Sequence, residues 1–134
     1  MKGKLITFEG AEGSGKSTQI RRLQEEFNCK IIGTGNLMRK MAKQDSCVSK
    51  KLKTVLDAGG LPPEWLAIFL WIGELLKIRP EDNIILDGSP RRLMEAKKMD
   101  SVLRWINREH IKAFLIDISE EESINRLTKR KTCS

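Results

Sequence analysis

Cysteine is scarce in this 134-residue sequence, and Cys29, Cys47 and Cys133 stand far apart. An odd number at such spacing excludes a disulfide framework and predicts free thiols. Long apolar runs are lacking too. The most apolar stretch, 65–78, is interrupted by Gly73, Glu74 and Lys77, and it is shorter than the about 18 apolar residues a membrane span needs. A signal peptide does not fit the N-terminus, because its apolar region would have to contain Glu9 and Glu12. Neither repeats nor low-complexity linkers are present. A cytoplasmic protein with no membrane partner is expected. The remaining composition, 40% hydrophobic and 32% charged, is that of a folded globular chain with one core.

Acidic residues are sparse where basic ones cluster. Between Lys30 and Lys53 lie Arg39, Lys40, Lys43, Lys50 and Lys51, opposed only by Asp45, within a formal charge of +7. A second cluster is Arg126, Lys129, Arg130 and Lys131. Such clusters are ordinarily a solvated face, but beside a phosphate-binding loop they can supply the cations of phosphoryl transfer.

The residue pattern alternates strands and helices. Strands are predicted at 5–8, 30–33, 83–87 and 111–117, and helices at 17–27, 36–42, 48–56, 64–78, 93–107 and 120–129. Helix 64–78 starts after Pro63 and is apolar on nearly every side, so Trp65, Phe69 and Trp71 are expected in the core. Ser119 and Glu122 form a capping-box signature for the last helix. The fold class is α/β: a P-loop NTPase-type parallel sheet with helices on both faces, cut off after the fourth strand and its helix.

Between the first strand and first helix stands Gly10-Ala11-Glu12-Gly13-Ser14-Gly15-Lys16-Ser17, a complete phosphate-binding loop. Glycine lets backbone N–H groups approach phosphate with no Cβ in the way. Lys16 is expected to reach the terminal phosphates, and Ser17 to join a Mg²⁺ shell. The stretch Gly13, Ser14, Gly15, Lys16, Ser17 and Thr18 therefore forms the expected ATP site, at the positive end of a helix. Asp87 ends an apolar strand and is the candidate second Mg²⁺ ligand, partly through water.

With Gly33-Thr34-Gly35-Asn36-Leu37-Met38-Arg39, Asp57-Ala58-Gly59-Gly60-Leu61, Asp87-Gly88-Ser89-Pro90-Arg91 and Arg126 to Cys133, the loop resembles the nucleoside monophosphate kinases, adenylate kinases above all. The resemblance implies Mg²⁺-dependent phosphoryl transfer from ATP to a nucleoside monophosphate, AMP first. It implies that Thr34, Arg39, Gly60, Leu61, Pro62, Gly88, Arg91 and Glu95 form the acceptor site. Arg39 would grip the acceptor phosphate and Arg91 would bridge toward the transferred group. Arg126 would pack on the ATP base and Arg130 would contact phosphates, making Lys16, Arg91 and Arg130 the catalytic cations. Arginine suits these tasks because it stays charged and can bind phosphate through two N–H groups.

Three positions depart from the family pattern. Asn36 stands where Asp is usual and is expected to cap its helix. Ser89 stands in place of Phe, and Glu95 in place of a Gln that reads adenine. A carboxylate can accept from the adenine amino group but cannot donate to a ring nitrogen. The resemblance also implies a kinase core over 1–134, with a helical NMP-binding insertion at about 34–64. Most of a lid beginning near 130 would be lacking, so poor transfer is expected of the chain by itself. Zinc would enter only if further cysteines lay beyond Cys133 in a longer parent. A monomer without nucleic acid is expected. The alternatives are a nucleotide-binding remnant or a P-loop ATPase acting with nucleic acid.

Overall fold

Ile84, Ile85 and Leu86 are wholly shielded from solvent, as residues of a strand covered on both faces must be. The computed structural model describes residues 3–130. The elements are β1 (Leu5–Gly10), α1 (Lys16–Phe27), β2 (Lys30–Gly33), α2 (Thr34–Ala42), α3 (Cys47–Asp57) and α4 (Glu64–Leu75), followed by β3 (Ile84–Asp87), α5 (Leu93–Trp105), β4 (Ile111–Ile116) and α6 (Glu120–Thr128). The strands form one sheet in the order β2-β3-β1-β4, and every pairing is parallel. The expected class is therefore present.

Strand alternation divides the core. Leu5, Ile32, Ile84 and Leu86 point to the face covered by Trp71 and Leu75 of α4 and by Met99 and Leu103 of α5. Phe8 and Ile85 point to the other face and meet Ile20 of α1 and Cys29. A third cluster of Met38, Leu52 and Leu66 binds the α2–α3 pair to α4. That pair is the basic stretch of the sequence, and two of its lysines bridge to Asp45 and Asp57 on the surface.

Three sequence expectations need correction. Trp71 is fully buried, but Trp65 is 58% and Phe69 63% exposed. Residues four apart share one side of a helix, and here that side faces solvent while Trp71 turns toward the sheet. Helix 64–78 ends three residues early, because Lys77 and Ile78 donate to Glu74 and Leu75 in tighter i to i−3 bonds. Asn36 caps nothing. α2 already begins at Thr34, and Asn36 Oδ1 instead accepts from Arg39 Nη2 at 2.5 Å.

The caps explain other boundaries. Ser46 Oγ accepts from Ser49 N at 3.0 Å, which starts α3 one residue before the predicted helix. Ser119 Oγ accepts from Glu122 N at 3.1 Å as expected. The Glu122 carboxylate, however, turns to Arg126 Nε at 2.6 Å instead of back to its own cap. Cys29 and Cys47 are free thiols as expected, while Cys133 lies outside the described residues. Among the described residues no helix is long and apolar enough to cross a membrane.

The burial contrast on α4 has a direct consequence. Trp71→Ala should cost about 3–5 kcal/mol of unfolding free energy, whereas Trp65→Ala should change it by no more than about 0.5 kcal/mol. Chemical denaturation of the two variants measures both.

Candidate functional site

The loop after β1 is shaped by its glycines. Gly15 sits directly before α1 with φ of 99°, a left-handed conformation that an L side chain rarely adopts. It starts the helix with no side-chain cap, so the first-turn N–H groups are left to the loop side. Lys16 Nζ folds back and donates to the carbonyl oxygens of Gly10 at 2.6 Å and Ala11 at 2.7 Å. Ser14 is buried and its hydroxyl has no partner among the described residues. Ser17 and Thr18 lie on the exposed first turn of α1.

Beside this loop, β3 ends at Asp87. The register pairs Phe8 of β1 with Asp87, so the two strands deliver their loops to the same edge of the sheet. Gly88 follows with φ of 72°, and a Cβ there would lie 2.9 Å from Arg91 Nη2. The positive φ favours glycine there, and the arginine folds back over it with Nε donating to the Gly88 carbonyl at 3.0 Å. Thr34 at the head of α2 shares a 2.5 Å hydrogen bond with the Ser89 hydroxyl, and both side chains are buried.

A cavity of about 240 Å³ opens here. Of the predicted acceptor residues, Thr34, Leu61, Pro62, Gly88, Arg91 and Glu95 line it. Gly60 and Arg39 do not: Gly60 is held in the turn by its N–H bond to Val55 O, and Arg39 is exposed on α2, held by Asn36. Sequence reasoning missed Gly35, Met38, Glu64, Ala67 and Arg92 in the lining, and read Ser89 only as a departure. Glu64 carries a signal in retrospect, as the first residue after Pro63. Its Oε1 accepts from Glu95 N at 3.1 Å, joining the starts of α4 and α5.

Charge converges on Glu9, which sequence reasoning left unassigned. Its carboxyl is raised above the usual glutamate range, chiefly by burial. Arg91 and Lys16 pull it down, while Glu95 and Asp87 push it up. One of its oxygens, Oε1, is buried without a partner among the described residues.

The donor set bears on metal binding. Among the described residues no three His, Cys, Asp or Glu side chains gather closely enough to hold an ion. Ser17 and Asp87 alone cannot cage a cation. They fit Mg²⁺ instead, which keeps waters and phosphate oxygens in its shell and takes few protein ligands.

At the far side of the loop lies α6. Ser123 Oγ donates to the Glu12 carbonyl at 2.7 Å, and Arg126 Nη1 donates to the Gly13 carbonyl at 3.4 Å. Arg126 therefore stands against the loop, while Arg130 follows α6 on the exposed surface with its N–H on Leu127 O. Ser123 could not be picked out from sequence, since a buried serine on a charged, largely exposed helix leaves no pattern.

A parallel sheet whose first strand runs through such a loop into a helix, with an acidic strand end beside it, defines an α/β P-loop fold of the kinase type. The family model described as adenylate kinase matches residues 8–133. An adenylate kinase of Archaeoglobus fulgidus is 33% identical over 128 residues, covering 96% of this chain and 59% of the relative. One of Petrotoga mobilis is 35% identical over 130 residues, covering 96% and 58%. One of Clostridium botulinum (strain Hall) is 34% identical over 129 residues, covering 96% and 60%. This chain belongs to the adenylate kinase family, and it spans about three-fifths of the length of these curated relatives.

Two outcomes follow from the geometry. Because the folded state raises the Glu9 carboxyl, its contribution to stability is full below the ordinary glutamate value and is lost as pH rises through the folded value. Glu9→Gln should therefore be more stable than the parent at pH 7, with the gain vanishing toward about pH 4 in denaturation curves. Ser123→Ala should lose about 1 kcal/mol. It should also speed amide hydrogen exchange in the loop at 11–15, read by mass spectrometry.

Proposed function

We propose that this chain binds ATP on the loop at 10–18 and a nucleoside monophosphate, AMP first, in the neighbouring cavity. The reaction is transfer of the γ-phosphoryl group, ATP + AMP giving two ADP. The observation that carries this reading is the register of Phe8 opposite Asp87, which sets the loop of Lys16 and the cavity lined by Arg91 at one edge of the sheet. A donor loop and an acceptor cavity sharing one sheet edge suit in-line transfer between two bound anions.

The chemistry needs little covalent participation from the protein. An oxygen of the acceptor phosphate attacks the γ-phosphorus as the bond to the bridging oxygen of ADP breaks. Lys16 leaves its two carbonyl partners for the terminal phosphates. Arg91 neutralises the repulsion between the nucleotides, and Arg39 on α2 grips the acceptor phosphate. Arg126, beside Gly13, packs on the ATP base, and Arg130 reaches phosphate from the end of α6. Ser17, and Asp87 through water, would hold Mg²⁺, which would supply further neutralisation of the phosphate charge. The α2–α3 pair, within the insertion at about 34–64, presents the acceptor site.

The family membership supports this reading, as does the cavity between α2, α4 and the β3 loop. Titration calorimetry with Mg·ATP and AMP tests it. Lys16→Ala should weaken Mg·ATP at least about tenfold and leave AMP binding intact, while Arg39→Ala should do the reverse. Salt-sensitive binding of single-stranded DNA with no response to AMP would overturn it.

A further inference from the structure

One side of α4 is apolar where it meets water. Trp65, Phe69 and Leu76 follow one another at steps of four and seven residues, which lines them up on one face of the helix. They are 58%, 63% and 62% exposed. Leu76 continues the face beyond the end of α4, because its N–H still donates to Ile72 at 3.0 Å. On the same side, between Phe69 and Leu76, stands Gly73. Its φ is not left-handed, and a Cβ there would meet nothing within 4 Å. Neither backbone conformation nor packing inside the chain calls for glycine at this point, although glycine weakens a helix interior relative to alanine. The face therefore presents three large apolar knobs and one hole, and these residues carry no charge.

We infer that this face of α4 docks on the same face of a second copy of the chain, the two helices running antiparallel about a two-fold axis. With the axis level with residue 71, Phe69 of each copy lies opposite Gly73 of the other, so the same knob enters the same hole twice. Trp65 of each copy comes level with Leu76 and Lys77 of the other. Lys77, exposed and paired with Glu74 at 2.7 Å, brings its ammonium to the indole ring.

Charge and area favour a second copy as the occupant. The chain carries a formal charge of +7, so two copies meeting over its basic clusters would repel, whereas the α4 face brings apolar groups together. Trp65, Phe69 and Leu76 leave about 400 Å² open on each copy, the size of a patch that is often functional. Two such faces take about 800 Å² from water, which suits a weak, reversible dimer and not an obligate one. The inference departs from the monomer expected from sequence alone.

Sedimentation equilibrium on the chain tests this. A monomer–dimer equilibrium with a Kd of about 100 µM is expected. Raising NaCl from about 0.05 M to about 0.5 M should tighten it, as repulsion between the copies is screened. Phe69→Ala and Trp65→Ala should each weaken the dimer at least about tenfold. Both side chains are exposed, so these variants keep the fold, which thermal unfolding checks. Gly73→Leu separates a seated contact from mere stickiness. It adds apolar surface and would strengthen nonspecific association, but a filled hole should weaken the dimer at least about tenfold. A chain that stays monomeric up to about 1 mM, whether or not it binds phosphatidylserine vesicles, would overturn the inference. Dimers untouched by Phe69→Ala, or strengthened by Gly73→Leu, would overturn it as well.

Discussion

The parallel register of β1 on β3, from Leu5 opposite Ile84 to Phe8 opposite Asp87, is the constraint on which the rest depends. It brings two strand ends, far apart in sequence, to one level at the carboxyl edge of the sheet. The loop at 10–15 leaves from one end and the turn at 88–91 leaves from the other. At the opposite edge, Arg108 is 6% exposed and donates to the carbonyl oxygens of Gly3, Arg79, Pro80 and Asp82. The starts of both strands are thereby tied to one side chain. A buried guanidinium is tolerable only when its donors are taken up in this way.

At the carboxyl edge the electrostatics suit the anion binding proposed for the site. Lys16 rests on two carbonyl oxygens, so a phosphate competes with neutral partners and not with a carboxylate. The acidic groups are set back: Glu95 is turned onto the Arg91 N–H, and Glu9 is kept toward its neutral form by burial. Such preorganisation costs stability locally and lowers the reorganisation needed when charge moves. Partial burial of carboxylates beside arginines is its structural sign here.

Much of this was legible from the chain. Strands 30–33 and 83–87, the glycine loop and the helix after it have local causes: β-branched runs, left-handed glycines and helical spacing. Thr34, Gly88 and Arg91 line one cavity because their two motifs follow the ends of the neighbouring strands β2 and β3. Asn36 and Trp65 misled because their surroundings are tertiary. A helix that starts two residues earlier takes Asn36 out of the cap position, and a solvent-facing helix side leaves aromatic residues bare. Glu64 and Ser123 were invisible for the same reason, since each acts through a backbone group far along the chain, Glu95 N and Glu12 O.

The sequence by itself determined the order of elements, the phosphate loop and the chemical types of the charged residues, because these follow from local propensity and short spacing. The tertiary structure decided which charges meet. It turned Glu95 from a substitution in a motif into a buried carboxylate with one oxygen bound and one free. It also buried the Glu9 carboxyl within the field of Lys16 and Arg91. Burial and long-range hydrogen bonding depend on packing of distant segments, and no local pattern encodes them.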